Sequence, residues 1–166
     1  MRTRTLALAL ALSLIPAACG GGGGDPKEET RAGRTALGGG DAAGAAKHFQ
    51  SALDGIDQSH PSYLEAKMGY IEAICSITPD AVEAQMMELH KTMPGKVTDK
   101  HFATIARALA DKESFEQATA VFGAGLKAYP DSTALDSLGK QIVKQAESAG
   151  ASGALDSLKG LGYTGD

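Results

Sequence analysis

Six apolar stripes of helical period follow one another along this chain, and they leave little choice of fold. Ala42, Ala45, Ala46, Phe49, Leu53 and Ile56 recur at intervals of three and four, the spacing that places side chains on one face of a helix. The next stripes are Leu64, Met68, Ile71 and Cys75, then Val82, Met86, Leu89 and Met93, then Phe102, Ile105, Ala106 and Leu109. Phe115, Ala118, Phe122, Leu126 and Tyr129 follow, and Leu135, Leu138, Ile142 and Ala146 complete the series. A weaker first helix is expected from Lys27 to Leu37, opened by Pro26 and stopped at Gly38-Gly39-Gly40. No stretch alternates with the period of a strand, so an all-α fold is expected. Aromatic residues are 5% of the chain and Trp is absent, so the core must be packed with Ala, Leu and Met.

The punctuation between stripes is regular. Asp41, Asp80, Thr98 or Asp99, Ser114, and Asp131 or Ser132 stand where a side-chain oxygen can accept from the free N–H groups of a helix start. Pro61, Pro94 and Pro130 each follow a stripe and fall 33 and 36 residues apart. An interval of this size points to helix pairs repeated in an array. A closed helical bundle would carry the same stripes without needing the spacing.

Two segments resemble the second helix of a tetratricopeptide repeat. In Gly40 to Leu53, Ala45, Phe49 and Ala52, with Pro61 beyond, match that family's small residue, aromatic, alanine and closing proline. In Phe115 to Phe122, Ala118 and Phe122, with Pro130 beyond, match again, although Gly125 replaces the later alanine. The unit from Pro79 to Pro94 lacks the aromatic, and the family's Trp and Leu-Gly pair are missing. The resemblance implies a right-handed superhelix of antiparallel helix pairs, an α-solenoid of about three pairs and a capping helix, over residues 26–148. It further implies a concave groove that takes a peptide or a helix of another protein. Exposed positions on the first helix of each pair are candidates to line it, and Tyr63, Lys67, Lys100 and His101 belong to that set. Residues 149–166 form a tail in which Leu155, Leu158 and Leu161 make one short apolar face. That face suits a terminal helix folded back on the last repeat, or a docking segment for a partner.

The first residues have the three-part layout of an export signal over residues 1–18. Arg2 and Arg4 precede an apolar run from Leu6 to Ile15, interrupted only by Ser13 and followed by small residues. Leu14-Ile15-Pro16-Ala17-Ala18-Cys19-Gly20 resembles the lipobox of bacterial lipoproteins, with Pro16 where the family favours Leu. The resemblance implies that Cys19 becomes the first mature residue and carries lipid such as palmitate. The protein is then expected in the cell envelope, anchored to a membrane on its extracytoplasmic side, with soluble secretion as the alternative. Residues 19–25, with Gly20 to Gly24 uninterrupted, read as a tether. Only one other cysteine exists, Cys75, and its place in an apolar stripe marks it as a small buried hydrophobe.

The remaining chemistry is sparse. The net charge of −4 shows no basic stripe for a nucleic acid. His48, His60, His90 and His101 form no His-Glu-x-x-His pair, and there is no Gly-x-Ser-x-Gly elbow and no Cys-x-x-Cys. No cofactor and no catalysis are expected. One cluster suggests a different role: Met86, His90 and Met93 lie at i, i+4 and i+7, a thioether and imidazole set suited to Cu(I). The same methionines continue the core period begun at Val82, so gap-filling packing accounts for them as well.

Overall fold

Three helix starts in this chain are set by side chains that take up the first free N–H groups, while Ser114 makes no such bond at its helix start and Asp80 lies inside a 3-10 turn. Asp25 accepts the Lys27 N–H at 3.0 Å ahead of Pro26, Asp41 accepts the Gly44 N–H at 2.8 Å, and Ser132 accepts the Leu135 N–H at 3.2 Å. The computed structural model describes residues 24–163. It contains α1 (Pro26–Gly38), α2 (Ala42–Asp54), α3 (Tyr63–Ile74), α4 (Val82–Thr92), α5 (Asp99–Ala110), α6 (Phe115–Ala128), α7 (Thr133–Ala149) and α8 (Ser152–Gly160). A single 3-10 turn, Pro79–Ala81, leads into α4, and no strand occurs among the described residues. The described part of the chain is all-helical, as its periodicity predicts. Cys19, the signal segment 1–18 and all of the tether but Gly24 and Asp25 lie outside the described residues.

Helix ends follow the same local logic. Gly150 closes α7 at φ +69°, a left-handed conformation that a β-carbon disfavours. Gly40 takes φ +80° in the tight turn that reverses the chain from α1 into α2. The expected α2 runs to Ile56 but the helix ends at Asp54, where the Gly55 N–H turns back to the Ala52 carbonyl.

Helices pack chiefly against their neighbours in chain order or next but one: α1 on α2 and α3, α5 on α6 and α7, α8 on α6 and α7. The main core runs from Ile71 of α3 to Leu158 of α8, and a smaller cluster of Ala45, Phe49 and Ala73 joins α2 to α3. Burying the Ala154 and Leu158 side chains docks α8 on the body of the domain. No helix among the described residues is long and apolar enough to cross a membrane.

One packing device recurs. The three fully buried phenylalanines each lie against a glycine of an adjacent helix. A β-carbon on Gly33 of α1 or Gly69 of α3 would stand 2.9 or 2.4 Å from the Phe49 ring. On Gly125 of α6 it would stand 2.9 Å from the Phe102 β-carbon, and on Gly139 of α7 it would stand 2.6 Å from the Phe122 ring. A helical glycine costs about 1 kcal/mol relative to alanine. A buried phenylalanine contributes roughly 1.5–3 kcal/mol, so close approach of the helices offsets the local loss.

Candidate functional site

An open groove of about 690 Å³ runs across α1, α3 and α5. Its base is the Phe49 ring, held beneath α1 and α3 by the bare faces of Gly33 and Gly69. Leu37 of α1 and Leu64 and Met68 of α3 line it, all half-buried. Polar groups stand among them: Arg34 on α1, Glu65 and Glu72 on α3, and His101 and Thr104 on α5. Arg34 and Glu65 form an ion pair at 3.0 Å between largely exposed side chains. Such a pair contributes little to stability, and it ties the charges on that side of the groove to each other.

His101 has two duties. Its Nδ1 accepts the Thr98 N–H at 2.9 Å and lies 3.0 Å from the Thr98 hydroxyl, so the ring closes the start of α5 while lining the groove. An accepting Nδ1 requires the unprotonated ring. Burial lowers the pKa of His101 and outweighs the opposing pull of the Asp99 carboxylate.

The other residues expected at a groove lie elsewhere. Lys67 donates to Gln85 Oε1 of α4 at 2.7 Å and sits 5.4 Å from the centre of the Tyr70 ring, so its charge is spent between α3 and α4. Tyr63 packs half-buried against the main core, and Lys100 is exposed on α5. Of the four, His101 alone lines the groove. Arg34, Glu65 and Glu72 escape a sequence reading because helical period locates a buried face, while a rim depends on which helices meet.

Met86 and Met93 are buried in the main core, and His90 lies between the Phe102 and Tyr129 rings at centroid distances of 5.6 and 5.7 Å. The Tyr129 hydroxyl donates to the Val97 carbonyl at 2.5 Å and reaches His90 Nδ1 at 3.4 Å. No group of three His, Cys, Asp or Glu side chains with metal-holding geometry occurs among the described residues. The buried Cys75 thiol donates to the Ile71 carbonyl at 3.3 Å, and burial pushes its pKa up to about 12.

No protein-family model, no curated protein and no solved structure matches this chain.

Proposed function

We propose that this protein is a non-catalytic protein-binding module of the bacterial cell envelope, built as a tetratricopeptide-like array and lipid-anchored through Cys19. A peptide or helix of a partner occupies the groove across α1, α3 and α5. The observation that carries this reading is the groove itself, an open trough with an apolar stripe of Leu37, Leu64 and Met68 and a polar margin. That combination suits recognition of an amphipathic segment. Helix contacts between near neighbours in chain order support an array of pairs α1/α2, α3/α4 and α5/α6, with α7 and α8 covering the last pair. The lipobox resemblance of residues 14–20 supports the anchor. Several acyl chains together would hold the domain firmly at a membrane, at about 0.8 kcal/mol per buried methylene.

The test is site-specific photo-cross-linking in intact envelopes. A photoreactive residue replacing Met68 is expected to capture a partner protein, and one replacing the exposed Asp156 of α8 is not. Equal capture at both positions, or none at Met68, contradicts the groove reading. A palmitate analogue is expected to label the wild type and not the Cys19→Ser variant; equal labelling contradicts the anchor.

A further inference from the structure

Leu64, Met68 and Glu72 follow one another along α3 at intervals of four residues, and all three line the groove. At 1.5 Å per residue this stripe spans about 12 Å, or two turns of a facing helix. Its two ends differ in charge. Near Leu64, the Glu65 carboxylate is already paired with Arg34. The Glu72 carboxylate has no hydrogen-bond or ion-pair partner among the described residues. His101 lines the same groove, but its Nδ1 accepts the Thr98 N–H and the ring therefore brings no positive charge.

An occupant laid along the whole stripe must cover Glu72. Covering an unpaired carboxylate carries a desolvation cost that neither an apolar nor an acidic segment can repay. A cation placed there removes that cost and adds attraction, and it sets the direction in which the segment lies. We propose that the groove's occupant is an amphipathic helix of a partner protein, with an apolar face seated on Leu64 and Met68 and a Lys or Arg beyond it that pairs with Glu72. This rests on the protein-binding reading and specifies the ligand's chemistry within it.

The full-length Cys19→Ser protein is titrated with two synthetic amphipathic helices, one with leucines on one face and lysines on the other, the second with glutamate at every lysine. Fluorescence anisotropy is expected to show the lysine peptide binding about five- to tenfold more tightly, the scale of one partly exposed ion pair exchanged for a repulsion. Glu72→Gln is expected to shrink that preference and Glu72→Lys to reverse it. Glu72 is only half-buried, so both variants should fold, and the Gln variant alone suffices if the other does not. Equal binding of the two peptides by the wild type, no binding of the lysine peptide, or a preference unchanged by either variant overturns the proposal. Cross-linking at Met68 that persists while the charge preference is absent would leave the groove standing and remove only the cationic ligand.

Discussion

Phe49 and Gly69 are in such close register that a β-carbon on Gly69 would stand 2.4 Å from the Phe49 ring. The ring is fully buried, and the same face of α3 that presses on it carries the groove. The site is thus supported from below by a contact that tolerates no added atom. Gly69→Ala is expected to destabilise the protein by roughly 1–3 kcal/mol through overpacking, although alanine is the better helix former. Urea unfolding measures this. A Gly69→Ala protein as stable as the wild type, or more so, would show that α3 can move away freely. Adding Phe49→Leu should recover part of the loss, because the smaller side chain makes room.

The seam between α6 and α7 uses the same device with the end of the described chain as its third member. A β-carbon on Gly139 would meet both Tyr163, at 2.5 Å, and Phe122, at 2.6 Å. Tyr163 rests edge-on against Phe122 at 5.2 Å between ring centres, and its hydroxyl donates to Asp136 at 3.4 Å. Tyr163→Ala is expected to cost about 1 kcal/mol, the scale of an aromatic pair. Combined with Gly139→Ala it should cost less than the sum of the two, since one clash partner is gone. Strict additivity in a double-mutant cycle would contradict the contact.

Acid should loosen the groove's α5 wall through His101. The folded ring holds a proton less readily than the same ring in the unfolded chain, chiefly because it is buried. The unfolded chain therefore binds more protons between the two pKa values, so stability rises with increasing pH there and is lost on acidification. The contribution is complete above the ordinary histidine value of about 6.5 and is lost as pH falls through the lower folded value. His101→Gln keeps an acceptor for the Thr98 N–H without titrating, in the usual form of a capping box. Its melting temperature should decline less than that of the wild type as the pH is lowered from about 7 to 5. Parallel declines would remove His101 as the responsible group.

Cys75 should be inert in the native state. Its thiol is buried, hydrogen-bonded to the Ile71 carbonyl, and pushed up to about 12, so the reactive thiolate is scarce at neutral pH. In a Cys19→Ser background, a thiol reagent at pH 8 is expected to label the protein only after denaturant is added. Rapid labelling of the folded chain would mean that this end of α3 opens readily.

Much of the fold was legible in the sequence, because each signal was local. Ala45, Phe49 and Ala52 lie in one stripe and are all fully buried, and Asp41, Thr98 and Ser132 stand at helix starts. The glycines opposite the phenylalanines were not legible. Gly33 and Gly69 are 16 and 20 residues from Phe49, and nothing in helical period says which helices will touch. A groove was expected, but most of its lining was not legible, for the same reason: Arg34 meets Glu65 across two helices, while Lys67, exposed by period alone, is drawn down between Gln85 and Tyr70. His101 reads from the sequence as a surface residue, and only the closing of α5 on Thr98 gives it a fixed place.

The central claim is that the groove over Phe49 receives a partner protein. The most direct measurement is affinity capture from envelopes with the full-length wild type beside Met68→Glu and Leu64→Glu, each confirmed as folded by circular dichroism. Both residues are half-buried at the groove's lining, so a carboxylate there should spoil an apolar contact while costing the core little. A protein that co-purifies with the wild type and is lost from both variants is the predicted result. The same protein recovered equally with all three would contradict the claim.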